Sequence, residues 1–235
     1  MNTESFLGLL QFADGLFPAG GHAHSFGLES YVQSGRVTTR DDLQAFVEVL
    51  LLGSAGPADA VAVVAAARAT RAGDFAALLE LDARLDALKP ARELREASRQ
   101  MGRQTLRAAV CLLDTLVLTA LFEDVEERRT PGHHPLVFGV VGQALGCGDE
   151  EAAAAYLYST SVVVVGAALR LLPLGQVDGQ RTLWAMRPLI ARLAREAAAN
   201  GSSATSDEPE PWSFAPGIDV AGMRHARLEA RLFRS

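Results

Sequence analysis

The stretch RELREASRQMGRQTLRAAVCLLDTLVLTALF, Arg92 to Phe122, decides the fold class. Leu94, Ala97, Met101, Ala108, Leu112, Leu116 and Ala120 recur at the three- and four-residue spacing that lays one apolar stripe along an α-helix. Pro90, just ahead, suits a first helical turn, where its missing N–H costs nothing. The spacing therefore predicts one long helix from Pro90 to about Phe122. Its other face carries Arg92, Arg95, Arg99, Arg103 and Arg107. The last three stand at successive four-residue steps, where like charges cost a few tenths of a kcal/mol per pair. Either an acidic surface faces this row, or it is a solvated face relieved by Glu93 and Glu96.

The same period extends in both directions. Leu43, Phe46, Val47, Leu50 and Leu51 follow Thr38 and Thr39 as N-cap candidates, with Asp41 and Asp42 in the first turn. Ala-rich segments at 58–70 and 74–88 come next, separated by Gly73-Asp74. A helix over 136–145 contains Gly139 and Gly142, each costing roughly 1 kcal/mol relative to Ala, so a neighbouring helix is expected to approach closely there. Asp149 is expected to cap an apolar helix ending at Pro173, and a helix over 179–199 is expected to kink at Pro188. No strand-like alternation persists. The reading is all-α: a single-domain multi-helix bundle with a flexible C-terminal tail. Its core domain spans 1–199, a polar, proline-containing linker 200–217, and a partner-binding tail 218–235.

Composition agrees with packed helices: 49% of the 235 residues are hydrophobic and only 6% aromatic, with Ala very frequent. A net charge of −6 lacks the basic excess of a general nucleic-acid or anionic-membrane binder. Lys89 is the only lysine. Cys111 and Cys147 have no second Cys or His at metal-finger spacing and read as buried thiols. With no secretory leader, a cytoplasmic location is expected. The run 152–172 mimics a membrane span, but Ser159, Thr160, Ser161 and Arg170 interrupt it, which favours a central core helix.

The search for chemistry is negative. Gly15 to His22 approaches a phosphate-binding loop, yet Gly21 stands where Lys belongs; a sharp turn ahead of a helix starting near His24 or Ser25 fits better. His22, His24, His133, His134 and His225 show no helical four-residue pair with an acidic partner, and neither Cys has a base nearby. Asp41-Asp42 and Glu126-Glu127 look like caps and solubilising charge. Binding or assembly is thus favoured over catalysis.

The terminal segment is patterned. Arg224, Arg227, Arg231 and Arg234 recur at spacings of three, four and three, beside Met223, Ala226, Ala230 and Phe233. If helical, this is an Arg face next to an apolar stripe, suited to docking in a partner's groove or to packing on its own domain.

The blocks 9–14 (LLQFAD), 17–21 (FPAGG), 23–29 (AHSFGLE), 93–98 (ELREAS), 101–104 (MGRQ), His133-His134-Pro135, 156–158 (YLY), 170–176 (RLLPLGQ), Met223-Arg224-His225 and 231–235 (RLFRS) stand in this order along the chain, and together they resemble the UreF family of urease accessory proteins. The resemblance implies an all-helical homodimer without enzymatic activity. It would bind UreD (also called UreH), recruit the GTPase UreG, and act with them on the urease apoprotein, with GTP hydrolysis in UreG linked to nickel insertion. No cofactor would be bound directly; nickel and GTP are handled by the partners. The family pattern also implies a tail ordered on the partner, with Arg231 and Tyr31 helping to recruit UreG. The partner-binding set expected here is Tyr31, Met223, Arg224, His225, Arg227, Arg231, Leu232, Phe233 and Arg234. An alternative is a nickel carrier using the five histidines.

Overall fold

A computed structural model describes residues 1–199 and 210–235. In chain order the helices are α1 (Thr3–Ala13), α2 (Leu28–Gln33), α3 (Arg40–Leu50), α4 (Val61–Ala72), α5 (Phe75–Ala87), α6 (Arg92–Leu112), α7 (Leu116–Glu126), α8 (His134–Ala144), α9 (Asp149–Leu171), α10 (Gln176–Ala199) and α11 (Pro216–His225). A π-helical segment, Leu51–Ala60, joins α3 to α4, and a 3₁₀ turn covers Gly21–Ala23. No strand occurs among the described residues. The all-α reading holds.

The long Arg92–Phe122 run forms two helices rather than one. Asp114 and Thr115, which bond readily to local backbone and disfavour a helix interior, occupy the break. Reversal there buries Leu118, Leu121 and Val125, whereas Leu112 and Leu116 of the predicted stripe lie exposed at the bend. The inward positions of α6 are Ala97, Met101, Leu106 and Ala109. Acidic groups do face the arginine row: Asp86 of α5 holds Arg99 at 2.5 Å, and Glu126 of α7 lies 3.3 Å from Arg107.

The capping box over Thr39 and Asp42 starts α3 as the sequence suggests. The two helices expected on either side of residue 57 are continuous from Arg40 to Ala72. Pro57 has no N–H to give the Gly53 carbonyl, and the chain widens into the π turn around it. The freed acceptor is taken from outside: the Phe214 N–H donates to Gly53 O at 2.7 Å, and the Trp212 N–H to Pro57 O at 3.2 Å.

Every residue of α8 from His134 to Gly142 is buried, which makes it the axis of the bundle. It packs against α4 and α6. Gly139 allows this: a Cβ there would meet the Val63 carbonyl and lie 2.8 Å from Ala66 Cβ. The 33-residue run Arg40–Ala72 and α9 are long and apolar enough to span a membrane, yet half or more of each apolar window is buried inside the fold. They are core helices, as the 152–172 reading expected.

Several local expectations are corrected. Gly148, not Asp149, is the N-cap of α9; the Asp149 carboxylate instead bonds Arg68 and Arg71, both at 2.8 Å. Burial pushes its pKa up, but the two guanidinium groups outweigh this and hold it below the usual carboxylate range. Cys147 is buried, and burial raises its thiol pKa; Cys111 is exposed at the end of α6. Pro188 lies within α10, which begins at Gln176. After the Gly20 turn the next α-helix begins only at Leu28, because Phe26 and Gly27 both adopt left-handed backbone. Of the expected linker, 200–209 lies outside the described residues.

Candidate functional site

The terminal segment is helical only to His225 and then continues through turns and bends over its own core. Ten further residues of helix would travel about 15 Å along the α11 axis, away from the groups that hold the chain in the observed path. Those groups belong to α2, α6, α9 and the 3₁₀ turn. Glu29 of α2, 2% exposed, is the centre. Its carboxylate accepts the Leu232 N–H at 2.7 Å and the Phe233 N–H at 3.1 Å, and lies 2.8 Å from His225 Nε2. A buried carboxylate is tolerable only with such partners. The other ring nitrogen of His225 lies 2.6 Å from Glu93 of α6, fixing the ring between two carboxylates.

Four further contacts complete this latch. Phe233, 4% exposed, is the apolar anchor, with the Arg170 guanidinium 4.2 Å from its ring centre. The Arg234 N–H donates to Ala23 O at 2.8 Å. Ser25 donates to Ser235 O through both its N–H, at 2.5 Å, and its hydroxyl, at 2.7 Å. His24 Nδ1 meets the Ser235 hydroxyl at 2.8 Å, while its buried Nε2 has no partner among the described residues. Burial, with Arg234 and His22 nearby, lowers the His24 pKa to about 4, so the ring is neutral near pH 7.

The residues predicted from sequence divide into two groups. His225 and Phe233 point inward as anchors. Met223, Arg224, Arg227, Arg231, Leu232 and Arg234 are exposed. The supposed apolar stripe is therefore not one: Met223, Ala226 and Ala230 face solvent, and only Phe233 is buried. Nor do the four arginines share a helical face, because Arg227, Arg231 and Arg234 all lie beyond the end of α11. Arg231 reaches Glu93 at 3.3 Å while remaining 44% exposed.

Tyr31 packs its ring edge-on against Phe46, with centres 5.3 Å apart. It lines a cleft on one flank of α11 with Arg36, Pro216, Val220 and Arg224; among the described residues no acidic side chain lines that cleft. The other flank is a groove containing Arg92, Glu93, Glu96, Met223 and Arg234. An exposed ridge, Val220 and Met223, separates the two.

Sequence reasoning missed Glu29, Glu93, Ser25, His24 and Arg170 as the receivers of the tail. The only available signal was that all five fall in blocks that resemble the UreF pattern, and those blocks converge here. The histidines do not converge. His22 is exposed, His133 sits between Ser98 and Asp86 at 3.0 Å each, and His134 is buried beside Phe138 and Tyr156. Among the described residues no group of three or more His, Cys, Asp or Glu is disposed to hold a metal.

With this geometry in hand, comparison with known proteins gives the family. The UreF family model matches residues 37–187. A relative from Bacillus sp. (strain TB-90), described as a urease accessory protein UreF, is 32% identical over 229 residues, covering 97% of this chain and 98% of that protein. Relatives so described from Actinobacillus pleuropneumoniae serotype 3 (strain JL03) and Corynebacterium glutamicum (strain R) are 34% and 33% identical. They cover 97% and 100% of this chain, and the same shares of the relatives themselves. The chain belongs to the UreF family of urease accessory proteins.

Proposed function

We propose that this chain serves urease maturation as a non-catalytic assembly factor. It works as a cytoplasmic homodimer and binds UreD (UreH); together they recruit the GTPase UreG, and the complex acts on the urease apoprotein. GTP hydrolysis in UreG drives nickel insertion, so nickel and GTP are cargo and substrate of the partners and this chain holds no cofactor of its own. The similarity to urease accessory proteins over the whole chain supports the process. The observation that carries the surface is the division of the tail: His225 and Phe233 anchor it, while Arg224, Arg227, Arg231 and Arg234 remain outward, Arg224 in the cleft that Tyr31 also lines. Guanidinium groups on a fixed frame, next to exposed Met223 and Leu232, suit bidentate contacts to carboxylates around an apolar centre.

The test is co-purification. Arg231 is 44% exposed and its ion pair with Glu93 is worth little to the fold, so Arg231→Ala leaves the bundle intact. Arg231→Ala weakens recruitment of UreG more than binding of UreD; equal losses in both assays contradict the assignment. Tyr31→Ala is expected to show the same bias. Truncation after Gly217, at the start of the 218–235 tail, is unsuitable because Ile218, Ala221 and His225 are buried against the core. The carrier reading requires tight, stoichiometric nickel binding by the isolated chain, and the separated positions of the five histidines give it no support.

A further inference from the structure

The terminal segment does more than cover the face of α2. Ala215, Ile218 and Asp219 form one side of a chamber inside the bundle, with a volume of about 60 Å³. The other sides come mainly from the π segment, the α5–α6 loop, α6, α8 and α9, and they combine apolar residues such as Leu94 and Met101 with an unusual number of polar groups for a core. Lys89 Nζ lies 2.8 Å from Asp59 Oδ1, and the Tyr156 hydroxyl donates to Asp59 Oδ2 at 3.2 Å. His134, 6% exposed, lines the chamber with no hydrogen bond from its ring among the described residues. A space of this size has room for about four waters, and unpaired polar groups such as the His134 ring make it a wet site rather than an empty apolar void.

The latch and the chamber share a wall. Ser25 receives the end of the tail, and the next residue, Phe26, lines the chamber with a left-handed backbone, φ +52°. Gly27 follows at φ +84°, where an added Cβ would lie 3.3 Å from Ala221 Cβ and 3.4 Å from Ile218 O. Glu29, two residues on, holds the Leu232 and Phe233 amides. Five consecutive residues thus carry the tail anchor at both ends and the chamber wall in between. On the far side, the Phe214 N–H fastened to the Gly53 carbonyl is the hinge-side attachment.

We propose that α11 and the segment leading into it are the removable wall of this chamber, so that release of the latch at Glu29 turns the Lys89–Asp59 pair, whose side chains are only 13% and 12% exposed with the wall in place, fully open to solvent and small polar solutes. This holds for the isolated chain and does not depend on any partner, so its failure would leave the accessory role untouched. Lys89 makes it measurable, because it is the only ε-amine in the sequence.

The experiment is acylation of the full chain with an N-hydroxysuccinimide ester, read at Lys89 by peptide mass and normalised to the Met1 α-amine. In the wild type Lys89 reacts much more slowly than in urea-unfolded chain. Phe233→Ala and Glu29→Gln raise its rate by about tenfold or more through a larger open population, and Arg170→Ala, at an exposed position with little risk to folding, raises it less but in the same direction. Leu121→Ala, in the buried face of α7 away from the chamber, is the control for general loss of stability and leaves the rate unchanged. Two results would overturn the proposal: wild-type Lys89 reacting at the unfolded rate, or Phe233→Ala accelerating it no more than Leu121→Ala.

Discussion

Replacing Phe233 by Ala tests whether the tail is a separate unit of stability. Removing a buried Phe ring costs about 3–5 kcal/mol in a core, and losing the Arg170 guanidinium above it adds about 0.5–1 kcal/mol. Phe233 sits on an irregular terminal segment that can relax outward, so the low end, about 3 kcal/mol, is the appropriate figure. That loss falls on local opening of the tail before it falls on the bundle, because Phe233 lies beyond α11 on the terminal segment and not on a helix of the bundle. The assay is amide hydrogen exchange of the full chain. The reporters are Leu232 and Phe233, bonded to Glu29, together with Arg234, bonded to Ala23, and Ser25, bonded to Ser235. Their exchange should speed up by about a hundredfold, since each 1.4 kcal/mol is a factor of ten. Amides of Val140 and Val141 in the fully buried α8 should be unchanged. Equal acceleration in α8 and the tail would refute the reasoning by showing that the tail and the core open as one unit, and unchanged tail amides would show that Phe233 is not the anchor.

Other outcomes follow from the same geometry. Gly139→Ala raises helix propensity by about 1 kcal/mol but drives a Cβ into the Val63 carbonyl; overpacking of about 1–3 kcal/mol or more wins, and the melting temperature falls rather than rises. Asp82, fully buried, accepts from the Thr130 hydroxyl, Gly132 N–H and His133 N–H at 2.6, 2.6 and 2.9 Å, so Asp82→Leu strands three donors and should cost at least about 3 kcal/mol in urea unfolding. Burial depresses His134 to a pKa of about 4, as it does His24, below the unfolded value of about 6.5. The unfolded chain therefore binds more protons between those limits, and stability falls as pH drops from about 6.5 toward 4, by up to about 1.4 kcal/mol per pH unit for each ring. His134→Gln should flatten that slope in unfolding titrations; an unaltered slope would show that His134 does not titrate as a neutral buried ring.

The apolar period sufficed for the helices of the bundle, because a stripe at that spacing has no other way to leave water. Leu43 to Leu51 and the run from Leu94 to Met101 were legible on those terms. What the period could not supply was the point at which a helix yields to a better tertiary arrangement. Leu112 and Leu116 fit the stripe of a continuous helix, yet the chain breaks between them because reversal buries Leu118, Leu121 and Val125 instead. Pro57 removes an N–H from the helical ladder and ordinarily breaks a helix; this one continues because the Gly53 carbonyl left without that partner finds the Phe214 amide, a donor more than 150 residues away in sequence.

The site divides in the same way. The sequence by itself determined the helical class, the lack of a catalytic set at readable spacing, and the blocks that mark the family. Tertiary structure alone decided that the terminal arginines leave the helix, that His225 and Phe233 are anchors while Arg231 stays outward, and that the receiving carboxylate is Glu29. The physical reason is that burial and hydrogen bonding to a buried acid are properties of places where distant segments meet. Local spacing encodes a face of a helix, but Glu29 and Phe233 lie 204 residues apart and meet only once the bundle has formed.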